Sequence, residues 1–109
     1  MGRIVVVAYR PKKDGAEKLR NLVRGHHANL QAEGLVTDRT PVIMESTSGD
    51  IVEVFEWASA DAIEKAHTNA AVQAMWEEFA TVCDYIPAAD VREFSSLFSE
   101  FRPLLGITE

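Results

Sequence analysis

Three histidines and two strand glutamates are the side chains of this sequence best suited to moving a proton. His26 stands four residues from both Leu22 and Leu30 within an apolar stripe of helical spacing, so its ring faces inward. A histidine buried there needs a partner, and Glu53, Tyr9 or a backbone carbonyl could supply one. His67 follows Ile63 by one turn on the flank of a second apolar stripe, where it could line a pocket or cap a helix. His27 is rotated by about 100° from His26 on a helix of this pitch and belongs nearer the edge. Tyr9 ends an apolar strand, and its hydroxyl can hold or protonate a substrate oxygen. His26, His67 and Tyr9 are therefore the candidate catalytic groups.

Glu53 interrupts the face formed by Ile51, Phe55 and Trp57. In a dry interior it would be a proton acceptor, or the partner of an arginine or lysine of a second copy, such as Arg10 or Arg92. Whether Glu45 lies opposite it depends on a hairpin register the sequence leaves open. Tyr9, Trp57, Trp76 and Phe79 could wall a pocket for a flat apolar ligand, with His26, His27, Glu53 and His67 on its rim or floor. The same aromatics at i and i+3, Trp76 and Phe79, equally suit a core.

No His-x-x-x-His or Cys-x-x-Cys spacing is present, so a metal would have to gather distant residues such as His26, His67 and Glu53. No metal or cofactor is expected. The single cysteine, Cys83, lies in an apolar pattern of helical spacing and reads as core. Lys and Arg total 11 against 17 Asp and Glu, a net charge of −6. Residues 1–39 carry net +4 and residues 40–109 net −10. Without a basic face of the size phosphate backbones need, nucleic-acid binding is not expected. The apolar run after Arg3 is too short for a membrane span or signal peptide, which makes a cytoplasmic protein with no membrane partner the expectation.

The elements that must position these groups can be read in order. Ile4–Arg10 is β-branched and aromatic and stops at Pro11, an inner strand covered on both faces. Residues 14–33 form a helix with Asp14 as N-cap, Glu17 as its partner and Gly34 as a left-handed stop. Val42–Thr47 and Ile51–Trp57 form an antiparallel hairpin around Ser48, Gly49 and Asp50. Ser59 caps a second helix from Ala60 to about Asp84, broken or recapped at Asn69 where its two apolar stripes fall out of phase. A fourth strand is expected over Ala88–Phe94, then a helical turn over Ser96–Phe101 whose Phe98 and Phe101 cover the cleft mouth or a second subunit. Residues 1–109 make one domain of 12.1 kDa.

That order is β-α-β-β-α-β, an α+β ferredoxin-like plan with both helices on one face of a four-stranded antiparallel sheet. The helices cover one face only. Strand three alternates Ile51, Phe55 and Trp57 with Val52 and Val54, so the other face is apolar as well. A second copy of the same sheet covers it most economically, which makes a homodimer the expected assembly.

The strand ending in YRP, the segment HHANLQAEGLVTDR (26–39), the run VEVFEWASADAIEKAH (52–67) and NAAVQAMWEEF (69–79) resemble the dimeric α/β-barrel superfamily. Within it they are similar to small stand-alone domains of the antibiotic biosynthesis monooxygenase group. The resemblance implies two ferredoxin-like sheets closing a barrel, with a ligand cleft in each subunit between helices and sheet. Members of the group oxidise polycyclic aromatics without metal or flavin, or degrade haem. The strand-one asparagine that the haem degraders use has no counterpart in IVVVAYR, where Tyr9 is the nearest polar ring. The expected function is modification of a small apolar or aromatic metabolite, possible without a cofactor; the alternatives are a dimer that binds such a molecule or steadies a partner without chemistry, and haem binding.

Overall fold

The computed structural model describes residues 1–104. Strands β1 (Arg3–Pro11), β2 (Val42–Glu45), β3 (Ile51–Trp57), β4 (Cys83–Ile86) and β5 (Arg102–Pro103) form one antiparallel sheet in the order β4-β1-β3-β2-β5. Helices α1 (Ala16–Ala32), α2 (Ala60–Ala66) and α3 (Ala70–Ala80) connect them. The first four strands have the ferredoxin-like order, and β5 adds a fifth at the β2 edge.

Helix α1 starts later than its acidic signal implies. Asp14 adopts φ +62°, a left-handed turn residue, and Gly15 is the N-cap without a side-chain hydrogen bond. Gly15 is required by crowding, since a Cβ there would lie 2.6 Å from the Val82 carbonyl oxygen. At the other end Gly34, with φ +73°, donates to Gln31 while Leu35 donates to Leu30, the 5→2 and 6→1 pair that ends a helix on a left-handed residue. Leu35 then packs in one cluster with Leu30. Ser59 caps α2 by accepting from the Ala62 amide. Asn69 caps α3 by accepting from the Val72 amide, so the expected break is a complete recapping.

Four expectations are corrected. The long second helix stops at Ala80, and Cys83, buried, begins β4 rather than continuing the helix. The fourth strand is thus Cys83–Ile86. Residues 88–95 hold two 3-10 turns, Ala88–Asp90 and Arg92–Ser95, and Ser96–Phe101 holds no helix. Strand β2 ends at Glu45, because Ser46 Oγ accepts from the Asp50 amide while the Ser46 amide donates to the Asp50 carbonyl, closing the turn two residues earlier than drawn. Glu45 therefore pairs with Ile51, and Ile43 sits across from Glu53.

This register puts Val5, Val7, Tyr9, Ile43, Glu45, Ile51, Glu53, Phe55 and Trp57 on the helix-covered face, because directly paired strand residues share a side. Two clusters fill the layer, one around Leu19, Val23 and Phe79 and the other around Leu30, Phe55 and Val72. The opposite face is divided. Its hairpin end is covered by the C-terminal segment, whose Val91, Phe94 and Phe101 pack on Ala8, Met44, Val52 and Ile86. At its other end Ile4 and Val6 are 58% and 48% exposed, so within one chain this part of β1 is covered on the helix side only.

Candidate functional site

The site is a chain of four side chains between α1, α3 and the sheet. Glu53 on β3 is completely buried and points toward α1. Its Oε1 accepts from the Tyr9 hydroxyl at 2.7 Å and meets His26 Nδ1 at 2.8 Å. On the far side of the ring, the Trp76 indole N–H donates to His26 Nε2 at 3.1 Å. An indole nitrogen only donates, so His26 Nε2 is an acceptor and the ring's proton sits on Nδ1, where it donates to Glu53. Glu53 Oε2 has no hydrogen-bond partner among the described residues. Among those residues, too, His26 is the only basic side chain in ion-pair contact with Glu53.

Register and helix pitch bring these four together. Tyr9 pairs with Ile51, one strand over and two residues along from Glu53, so its ring leans across the sheet to reach the carboxylate. His26 is one of four buried residues of α1, with Leu19, Val23 and Leu30, spaced by three and four. Phe55 and Phe79 present edges to the imidazole at centroid distances of 5.6 and 5.2 Å, and Phe79 stacks on Tyr9 at 5.3 Å. Such packing holds both rings in one orientation. Burial, then the charge of Glu53, holds the Tyr9 phenol well above its ordinary range, so Tyr9 stays a donor.

Beside this network lies a cavity of about 290 Å³, lined by Val5, Val7 and Tyr9 of β1, Phe55 and Trp57 of β3, Trp76 of α3 and Tyr85 of β4. Trp57 and Trp76 meet edge to face at 6.5 Å. Four of these side chains carry polar tips, and three are engaged within the protein: Tyr9 on Glu53, Trp76 on His26, and the Tyr85 hydroxyl on the Trp76 carbonyl at 3.3 Å, while the Trp57 indole N–H has no hydrogen bond among the described residues. The wall offered to a ligand is thus largely ring face and branched carbon, a surface for a flat apolar molecule. Tyr9 and Trp76 belong to both the cavity and the buried network.

The other candidate residues do not converge here. His67 is exposed at the end of α2, bonded through Nδ1 to the Ile63 carbonyl at 2.8 Å, and touches the site only by stacking edge-on against Trp76 at 5.8 Å. His27 is bonded through Nε2 to the Thr37 carbonyl at 3.1 Å, fixing the bridge in which Val36 meets Trp57. Phe79 supports the rings from behind and does not line the cavity. Within the chain, among the described residues, Arg10 and Arg92 make no contact with Glu53, and Arg10 grips Asp50 with two bonds of 3.0 and 2.9 Å. Phe101 packs against Phe94 on the outer face, away from the cleft.

Among the described residues, no group of three His, Cys, Asp or Glu could hold a metal ion. Both nitrogens of His26 are engaged, leaving none for a haem iron. No helix of the described residues is long and apolar enough to cross a membrane. The sequence reading missed four pocket residues: Val5, Val7 and Phe55, which it placed only in strands, and Tyr85. Tyr85 became visible only once CDYI was placed in a strand beside Tyr9.

No family model matches the chain, and no curated protein matches it. A solved structure does. Rv0793 from Mycobacterium tuberculosis superposes with a TM-score of 0.60 and 18% identity, covering 79% of this chain and 89% of that one. At that identity the likeness is one of fold: both are small α+β sheet domains.

Proposed function

We propose that this protein is a homodimer of the dimeric α/β-barrel kind that binds a small, flat, apolar or aromatic molecule in each subunit and modifies it by drawing a proton into the buried network. One observation supports the reading most: an apolar cavity shares two walls, Tyr9 and Trp76, with a buried carboxylate, imidazole, phenol and indole linked end to end. A phenol or enol that loses its proton beside such a wall becomes an anion able to react with molecular oxygen, the cofactor-independent oxidation that the resemblance to antibiotic biosynthesis monooxygenases implies. The dimer rests on the open half of the outer face, where Ile4, Val6 and Val42 are exposed. Leu97 and Phe98 of the segment packed on that face are 92% and 77% exposed.

Both tryptophans of the chain line the cavity, so ligand entry has its own reporter. Titrating the protein with naphthalene should change the tryptophan fluorescence saturably, and Val5→Phe, which fills the cavity, should abolish the change while leaving the circular dichroism intact. A linear, unsaturable response in the wild type would overturn the pocket reading. Size measurement on dilution should show a dimer that dissociates, and Val6→Lys should give monomer at every concentration. A second reading, binding without chemistry, is favoured by the engagement of the Tyr9, Trp76 and Tyr85 polar tips inside the protein. Oxygen consumption with a panel of polycyclic phenols separates the two.

A further inference from the structure

Three groups of the network could in principle take a proton from a ligand, and the geometry eliminates two of them. His26 Nε2, the basic nitrogen of the ring, is occupied by the Trp76 N–H, and Nδ1 already carries a proton that it gives to Glu53. Tyr9 is itself protonated and donates inward. What remains is Glu53, whose Oε1 accepts two hydrogen bonds while its fully buried Oε2 accepts none among the described residues. A carboxylate in that position is costly as an anion: it lies in a low-dielectric interior and, among the described residues, without a lysine or arginine beside it.

We infer that Glu53 is the proton acceptor of the site, reached from the cavity through Tyr9, and that Trp76 is the positioning residue that takes His26 out of competition. The inference rests on the pocket reading above and names its ligand class, a flat aromatic or enolic molecule carrying an acidic hydroxyl. The ligand's O–H bond breaks and its proton passes to the Tyr9 oxygen, while Tyr9's own proton moves along the existing 2.7 Å hydrogen bond to Glu53 Oε1. Tyr9 ends as it began, Glu53 becomes a neutral acid, and the ligand keeps the electron pair of the broken bond as an anion. The step needs no co-reactant. Its direction follows from place, because it moves one negative charge from a site with no exposure to a cavity whose Tyr85 wall is half exposed.

The probe is 4-nitrophenol, whose neutral and anionic forms differ in colour, held at the pH where it is half ionised in buffer. Bound to the wild type it should be mostly anion. Bound to Glu53→Gln, which keeps the shape and an acceptor oxygen, its anion-to-neutral ratio should fall about tenfold or more. Tyr9→Phe, which interrupts the route, should also leave it neutral. Equal ratios in the wild type and Glu53→Gln would overturn the inference while leaving the pocket reading intact. Failure of the wild type to bind the probe would count against the pocket, and the inference is then decided by the ring-nitrogen spectrum of His26 in ¹⁵N-labelled protein. That spectrum should show the proton on Nδ1 and a hydrogen-bonded Nε2 that loses its bond in Trp76→Phe. A proton on Nε2 would overturn the assignment.

Discussion

Glu45 and Glu53 lie on the same face of the same hairpin and are both buried, yet their surroundings differ in kind. Glu45, near the β5 edge, is held between two arginines, Arg20 at 3.0 Å and Arg102 at 2.6 Å, one to each oxygen. Glu53, one strand further in, has two neutral donors on one oxygen and, among the described residues, nothing on the other. Glu45 fastens structure, tying α1 and β5 to β2 with its charge fully answered. Glu53 keeps unused hydrogen-bonding capacity beside a cavity wall, the pattern of a site held in readiness.

The largest test of the contrast removes each carboxylate. Glu53→Ala leaves the Tyr9 hydroxyl and the His26 N–H without an acceptor in a sealed layer, and each buried orphan costs about 1–3 kcal/mol. With the cavity added, the unfolding free energy should drop by about 4 kcal/mol, read from urea denaturation. Glu53→Gln keeps a carbonyl oxygen for both donors and should cost only about 1 kcal/mol. Equal losses in the two variants would mean that the donors do not depend on this acceptor.

Glu45→Ala should cost less, about 1–2 kcal/mol, because its partners regain water. The Arg20 and Arg102 side chains are 34% and 71% exposed. The two sites should also part in salt. Raising ionic strength should shrink the penalty at Glu45, whose arginines face solvent, and leave that at Glu53 unchanged. A common salt response would erase the distinction.

The contrast was only partly visible in the sequence. Residue type and spacing made β1, α1 with its Gly34 stop, β3 and the caps at Ser59 and Asn69 legible, because each is a local signal of propensity or capping. Strand β4 was not, since Val82 and Cys83 continue the apolar period of α3 and only pairing with β1 turns CDYI into a strand. Residues 88–94 look like strand for the converse reason: Val91 and Phe94 are apolar because they cover the sheet, not because they extend it. His26 could be read as inward and Tyr9 and Glu53 named as partners, but their meeting joins residues 27 and 44 positions apart. The fate of Glu45 turned on a hairpin register set by Ser46 and Asp50, a side-chain detail that alternation of apolar residues does not reveal.

The smallest effect lies in alkali, where only one of the two ends responds. Arginines keep their charge there, so the Glu45 clasp is indifferent, whereas Tyr9 is bonded to Glu53 and can ionise. Burial, then Glu53, holds the Tyr9 phenol well above 10, and burial, then Cys83, pushes Tyr85 up to about 12. A phenol whose folded value exceeds its unfolded one contributes stability that is complete below about pH 10 and drains away as pH rises through the folded value. The two tyrosines of the folded protein should therefore show no phenolate absorbance at pH 10, where unfolded chains are half ionised. In Tyr85→Phe the remaining phenol, Tyr9, should ionise only as the fold is lost. Adding Glu53→Gln removes the charge that opposes a Tyr9 phenolate, so ionisation should move to lower pH while the fold persists. An unmoved titration would mean that burial alone holds Tyr9, and that the carboxylate beneath it carries no charge for a ligand's proton to neutralise.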